Sequence, residues 1–225
     1  MPARVAFVIP VLEEEGRIGG LLQQLRERYP GAELVVVDGG SRDRTVATAM
    51  PLCDQLLLGE AGRAAQMNLG GRVAAADYLC FLHADSLPTV SPAGLSACLD
   101  AGPDWGFCRV RLSGGRRVFR VIERFMNLRS RLTGIATGDQ MLFLRRELFE
   151  RTGGFDALPL MEDIAYCTRL RRLARPLVIP EPVVTSSRRW EERGAIATVL
   201  TMWSLRLAYF LGVPPERLRQ HYYGR

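Results

Sequence analysis

The sequence predicts an α/β fold: a Rossmann-like, mostly parallel central sheet flanked by helices. Two apolar runs carry this expectation. Tyr78-Leu-Cys-Phe-Leu-His83 is followed at once by Ala84-Asp85, and Glu33-Leu-Val-Val-Val ends in the same way at Asp38. Short runs this apolar suit strands that are covered on both faces. The third observation is that helical patterns alternate with such runs over residues 1–90, the rhythm of right-handed β-α-β units. In open sheets of this class ligands gather beyond the carboxyl ends of the strands, so Asp38 and Asp85 are expected in a ligand crevice.

In chain order, residues 4–11 read as the first buried strand, and residues 16–29 as a helix with Ile18, Leu21, Leu22 and Leu25 on one stripe. Residues 33–38 form the second strand, and residues 42–50 a helix behind the Gly39-Gly40-Ser41 turn. Residues 55–58 make a short strand, residues 63–76 a helix, and residues 78–83 the fourth strand. Beyond residue 90 the rhythm changes. Residues 105–112 alternate like a strand, Gly114-Gly115 marks a turn, and residues 119–132 have helical spacing. Residues 140–144 read as another buried strand, and residues 162–174 as a helix with Ile164, Cys167, Leu170 and Leu173 on one side. Residues 196–211 form a long helix, apolar on both faces, that is too short and too polar at Arg206 to suit a bilayer span. Such a helix packs in the core, meets a second copy as a homodimer, or lies on a membrane, where Arg193, Arg206, Arg217 and Arg219 would meet anionic headgroups.

With 225 residues the chain is long enough for one large domain and short for two. The formal net charge of +6 is carried by arginine and suits phosphate-bearing ligands or anionic surfaces. No basic tail or basic block with interleaved aromatics is present, which argues against nucleic acid as a partner. Cys53, Cys80, Cys98, Cys108 and Cys167 are odd in number and form no C-x-x-C pair, so buried, reduced thiols in a cytoplasmic protein are expected. The first residues lack a signal-peptide pattern.

Several segments carry candidate chemistry. Asp38-Gly39-Gly40-Ser41-Arg42-Asp43-Arg44-Thr45 ends a strand and opens a helix. Asp38 is there either free to accept hydrogen bonds from a ligand or simply the acid of an ordinary capped turn. His83-Ala84-Asp85 puts two polar side chains on one face of an extended chain. Asp85 can hold a divalent ion, and His83 can serve a ribose hydroxyl, the metal or a backbone carbonyl. Arg63 opens a helix, where anions are favoured, and is read either as a phosphate or base contact or as a solvated surface residue. Glu162-Asp163 supplies either first-turn charge for a helix or a general base for an acceptor hydroxyl.

Taken together these segments resemble family-2 glycosyltransferases. The likeness is carried by Val8-Ile9-Pro10 with Glu13-Glu14, by Asp38 to Thr45, by Gly62-Arg63 with Asn68, and by Phe81-Leu82-His83-Ala84-Asp85. Gly138-Asp139-Gln140, Gly153-Gly154-Phe155-Asp156 and Glu162-Asp163 continue it in order, so that it covers residues 4–190. The resemblance implies a GT-A fold and transfer of a sugar from a nucleotide-diphosphate donor with Mn²⁺ or Mg²⁺. It also implies that Pro10, Glu13 and Asp38 hold the nucleotide, that His83-Ala84-Asp85 falls on the family's D-x-D with Asp85 as the metal contact, and that Asp163 is the base. His83 departs from the pattern, standing where the first Asp is usual. The His83-Ala-Asp-Ser86 and Gly138-Asp-Gln140 segments are similar to a bacterial subgroup associated by name with arsenosugar biosynthesis.

The chain is therefore expected to be an inverting, metal-assisted glycosyltransferase. Pro10, Glu13, Asp38, Arg63 and His83 would bind the donor, Asp85 the metal, and Arg188 or Arg189 the diphosphate. Asp163 would take the acceptor proton, with Glu162, Gln140, Asp139 and Trp190 on the acceptor side. One domain over residues 1–225 is expected, with a nucleotide-binding half (1–90), an acceptor-side half (91–190) and a C-terminal helical extension (191–225). The expected setting is cytoplasmic, including the inner face of the membrane. A nucleotidyltransferase acting on a sugar phosphate is the alternative, but its basic, Gly-rich phosphate loop is missing where residues 10–16 read acidic. A non-enzymatic binding module would have no need of Asp38, Asp85 and Asp163 together.

Overall fold

The computed structural model describes residues 3–192 and 194–223. Arg193 lies outside the described residues. The first part of the chain runs β1 (Val5–Val11), α1 (Glu15–Arg28), β2 (Glu33–Asp38), α2 (Thr45–Ala49), β3 (Gln55–Leu58), α3 (Arg63–Val73) and β4 (Tyr78–Phe81). Then come β5 (Ser86–Pro88), α4 (Pro92–Asp100), β6 (Trp105–Leu112), α5 (Arg117–Thr133), β7 (Leu142–Arg145) and α6 (Arg146–Thr152). The chain continues with α7 (Glu162–Leu170), β8 (Leu177–Thr185), α8 (Arg188–Glu192), α9 (Ala195–Phe210) and α10 (Pro215–Tyr223).

All the strands join one sheet in the order β3-β2-β1-β4-β7-β6-β8-β5. The β3-β2-β1-β4 portion is parallel, as expected of β-α-β units. β7 pairs antiparallel with both β4 and β6, β6 runs parallel to β8, and β5 closes the edge antiparallel to β8. Side chains alternate between two cores. Val8, Val35, Val37, Leu79 and Phe81 face the layer that contains Met67 of α3 and Ile164 of α7. Phe7, Ile9, Leu34, Val36 and Cys80 face Ile18, Leu22 and Leu25 of α1 and Leu95 of α4. Both faces of β1, β2 and β4 are thus covered, which is why their sequences read as unbroken apolar runs, whereas β3 lies at the sheet edge with Leu58 exposed. Each fully buried Leu, Val or Phe contributes about 1.5–3 kcal/mol.

Several elements differ from expectation. The second helix starts at Thr45 rather than 42, because the Asp43 carboxylate accepts from the Thr45 amide (2.9 Å) and its hydroxyl, fixing the preceding residues as a turn. The third helix ends at Val73 and the α7 helix at Leu170, and β4 stops at Phe81. Gln140 belongs to a single 3₁₀ turn, Gly138–Gln140, and β7 begins only at Leu142. The strand β8 went unread because Pro180 and Pro182 interrupt it. They fall at a register shift, where Cys108 faces Ile179 and Arg109 faces Pro182, a bulge that tolerates proline.

Candidate functional site

The carboxyl ends of β1 and β2 open into two loops that are laced together. Glu13 adopts a left-handed conformation (φ 56°), its amide donates to Ser41 Oγ (2.9 Å), and its carboxylate accepts from the Arg42 amide (2.7 Å). The Glu14 amide donates to Thr45 Oγ1 (2.7 Å), and Glu15 accepts from the Arg44 amide (2.8 Å). Beneath them the buried Gln66 side chain donates to the carbonyls of Val11 and Val37, both at 2.8 Å, and clamps the two strand ends. Asp38 is not free, contrary to one of the two readings. Gly40 (φ 93°) turns the chain so that the Gly40 and Ser41 amides (both 2.9 Å) and the Ser41 hydroxyl all donate to its buried carboxylate. Pro10 is buried in β1 opposite Val37. Asp38 and Pro10 therefore shape the rim, and Glu13 is its exposed carboxylate.

The acids gather where β4, the Gly138–Gln140 turn and the start of α7 meet. His83, Asp85 and Asp139 each offer a ligand atom, and these atoms lie within 4.8 Å of one another. His83 Nδ1 is 3.6 Å from an Asp139 oxygen. The imidazole is held on its other side by Gly138, whose Cα leaves no room for a Cβ: one would lie 2.2 Å from His83 Cε1. Asp85 is exposed, and it is fixed by the Ser86 hydroxyl (3.2 Å) and by its carbonyl, which accepts from the Ser186 amide (3.2 Å). Burial would raise the Asp139 carboxyl, but the His83 imidazole, with Arg63 and Arg189 behind it, holds it below the usual carboxylate range. One imidazole and two carboxylates form a mixed nitrogen–oxygen donor set that fits a divalent ion of the Mn²⁺ kind, and Mg²⁺ less well because it prefers all-oxygen surroundings.

Glu162 and Asp163 open α7 after Met161, which is left-handed (φ 69°). Asp163 is tied to the same turn as the trio. One of its oxygens accepts from the Gly138 amide (2.9 Å), the other from the amide of Ile164 (2.7 Å). Burial pushes the Asp163 carboxyl up, against these amides and the charges of Arg63 and His83. Burial, and then the charge of Asp163, push Glu162 up as well. Met67, Phe81, Leu142, Phe155 and Cys167 wall the hollow that His83, Glu162 and Asp163 line. Asn68 braces this wall by donating to the Phe155 carbonyl and accepting from its amide, both at 2.8 Å.

The structure thus brings together Arg63, His83, Asp85, Asp139, Glu162, Asp163 and Arg189. Asp139 was expected on the acceptor side and stands with His83 and Asp85, because the 3₁₀ turn carries it back over His83. Gln140 does not face a ligand. It is fully buried, its oxygen accepting from Ser130 Oγ (2.7 Å) and the Thr137 amide (3.2 Å), its nitrogen donating to the Cys108 carbonyl (3.3 Å). Trp190 packs on the cluster of Leu112, Phe119 and Ile122. Arg188 is exposed, with Glu192 3.9 Å away, whereas Arg189 lies over the Tyr222 ring at 5.3 Å and donates to its hydroxyl. The bracing roles of Gln66 and Gly138 were not legible in the sequence, since both depend on contacts distant along the chain.

Comparisons with known proteins give the following. Residues 6–94 match the family described as glycosyl transferase family 2. No curated protein matches the sequence. Among solved structures, the chain is similar to the mannosyltransferase PcManGT from Pyrobaculum calidifontis in complex with GDP-Man and Mn²⁺. That match has 24% identity and a TM-score of 0.63, covering 92% of this chain and 61% of that one. S. aureus TarS, residues 1–349, matches with 19% identity and a TM-score of 0.65, over 82% of this chain and 60% of that one. Glucosyl-3-phosphoglycerate synthase from Mycobacterium tuberculosis, with Mn²⁺, UDP and phosphoglyceric acid, matches at 19% identity and a TM-score of 0.61, over 94% and 80%. The chain spans about three fifths of the length of the first two. These likenesses establish the fold as GT-A, in agreement with the sequence expectation.

Proposed function

We propose that the chain is a family-2 glycosyltransferase that moves a sugar from a nucleotide-diphosphate donor to an acceptor hydroxyl, with inversion at the anomeric carbon. The observation that carries this reading is the Gly138–Gln140 turn, which joins the trio of His83, Asp85 and Asp139 to Asp163 through the Gly138 amide. The match over residues 6–94 supports it, as do the nucleotide-sugar and Mn²⁺ complexes of the similar enzymes. The nucleotidyltransferase alternative is not favoured, because residues 13–15, where a phosphate loop would stand, are glutamates, and the carboxylates of Glu13 and Glu15 accept from the Arg42 and Arg44 amides.

A divalent ion held by His83, Asp85 and Asp139 would act as a Lewis acid toward the donor diphosphate. The remaining steps belong to this chain's own residues. The laced rim of Pro10, Glu13 and Asp38 supports the nucleoside, with Arg63 beside it. Arg189, whose charge reaches Asp139, would offset the charge of the diphosphate. Asp163 is held in one orientation by its two amide partners, and burial makes it a stronger base than an exposed carboxylate. As the acceptor oxygen bonds to the anomeric carbon, its proton passes to Asp163 and the C–O bond to the diphosphate breaks with its electron pair. Glu162 stands next to this base.

We further infer a cytoplasmic setting and a place in the bacterial subgroup associated by name with arsenosugar biosynthesis. Free cysteines support the first, with Cys80 and Cys167 buried and their thiols pushed up to about 12 by that burial. The His83-Ala-Asp-Ser86 and Gly138-Asp-Gln140 segments support the second. The test is a screen of nucleotide sugars for release of nucleoside diphosphate, with and without Mn²⁺. Turnover that requires Mn²⁺ and is lost in Asp85→Ala is expected; pyrophosphate release from a nucleoside triphosphate and a sugar phosphate would overturn the reading.

A further inference from the structure

The outward faces of α5 and α9 are apolar, that of α5 is flanked by arginines, and the transfer site makes no use of them. α5 turns Phe119, Ile122, Glu123 and Ser130 inward. Beside that buried face Val121, Phe125, Leu128 and Leu132 recur at helical spacing, 50% to 75% exposed. Arg117, Arg124 and Arg131 run alongside them at steps of seven residues, all exposed. The only acid of this helix, Glu123, is buried and engaged by the Leu112 amide (2.6 Å) and Arg120 (3.0 Å). α9 presents Ile196, Leu200, Trp203, Leu207 and Phe210, 61% to 74% exposed, and no Asp or Glu occurs within it. The two helices share a support, because Val118 and Met126 of α5 and Ala195 and Val199 of α9 pack on one small cluster around Phe119.

A stripe of aromatic and aliphatic side chains beside a row of arginines matches the chemistry of a bilayer interface. The rings and alkyl groups enter the acyl boundary and the guanidinium groups meet lipid phosphates. Two copies of this face would set arginine rows against each other, so a second copy of the chain is the poorer occupant. No helix among the described residues is long and apolar enough to cross a membrane. We propose that α5 and α9 form a docking surface for an anionic lipid bilayer, on which the chain lies without spanning it.

The test is flotation of the whole chain with vesicles of phosphatidylcholine alone and of phosphatidylcholine mixed with phosphatidylglycerol. Binding only to the mixed vesicles, weakening as salt rises, is expected, together with a blue shift of Trp203 emission that Trp203→Phe removes. Replacing Arg117, Arg124 and Arg131 by Gln should weaken partitioning on the order of 100-fold, since each arginine near an anionic surface is worth about a fivefold factor. These side chains are exposed, so the melting temperature should not move; a variant that fails to fold leaves the lipid and salt dependence of the unaltered chain to decide. Absence of binding at low salt overturns the proposal. So does binding that survives both the arginine variant and Phe125→Ser with Leu200→Ser. A dimer in light scattering that those two serine substitutions dissociate, without any vesicle binding, would assign the face to a second copy and overturn it equally.

Discussion

Asp163 has an amide on each carboxylate oxygen and still sits above the usual carboxylate range, because burial outweighs the two hydrogen bonds. A base of that kind must be ionised to work, so the transfer rate should fall as pH drops through its raised value, and the acidic limb should begin at a higher pH than for a solvated Asp. Asp163→Asn keeps the shape and removes the proton acceptor. Donor binding should persist while transfer falls on the order of 10²–10⁴-fold, read by single-turnover kinetics beside a donor-binding titration. A crippled Glu162→Gln with a near-normal Asp163→Asn would reverse the two roles. Glu162 carries a second, separable expectation. Burial, and then Asp163, raise its carboxyl above the unfolded value, so the folded chain binds the proton more readily than the unfolded one. Stability from this group is full below the unfolded value and is lost as pH rises through the folded one. Glu162→Gln should therefore melt at a higher temperature than the parent at neutral pH, and the difference should shrink on acidification. A melting temperature that falls at neutral pH would show that the charged form is the one the fold favours.

At the scale of elements, α3 lies on the sheet through glycine. A Cβ on Gly70 would stand 2.5 Å from Val8 Cγ1 and 2.9 Å from Val37 Cγ2, and one on Gly71 would stand 2.6 Å from the Phe149 ring. Gly70→Ala should cost about 1–3 kcal/mol by overpacking, even though Ala is the better helix former, and urea unfolding would measure it. A stabilised variant would mean that α3 can slide outward without loss. The parallel strands Val5–Val11 and Glu33–Asp38 were legible because both of their faces are covered and apolarity alone marks them; the half-buried edge strand Gln55–Leu58 was legible from its short Leu run, and all three fall where the sequence put them, to within a residue. The strand Leu177–Thr185 was not, since Pro180 and Pro182 speak against a strand unless the bulge opposite Cys108 and Arg109 is known. Asp85, Glu162 and Asp163 could be singled out in the sequence because each stands at the end or start of an element, and the structure brings them to one turn. Gln140 and Asp139 share one turn but face opposite ways, which the sequence does not tell: Gln140 into the Ser130–Cys108 network, Asp139 onto His83. One short 3₁₀ turn decides that, and no periodicity in the sequence encodes it.

For the whole molecule the sheet order decides how the chain comes apart. β5 follows β4 by only a few residues, yet β4 sits in the middle of the sheet and β5 closes its far edge against β8. β7, from beyond residue 140, is inserted next to β4. Residues 1–90 thus supply an edge strand to the other half, and residues 91–190 supply the neighbour of β4. Neither half can leave without exposing paired backbone and both cores, so unfolding should be a single transition. Trp105 is fully buried and its indole donates to the Ala174 carbonyl (2.8 Å), which makes its fluorescence a probe of residues 91–190. Cys80 is fully buried in β4 and probes residues 1–90 through its reaction with a thiol reagent. In a chain with Trp190→Phe and Trp203→Phe, the urea midpoint of Trp105 emission should coincide with that of peptide-resolved labelling at Cys80. Labelling of Cys80 at urea concentrations where Trp105 is still native would mean that β4 opens by itself, and the two halves would then be separate cooperative units.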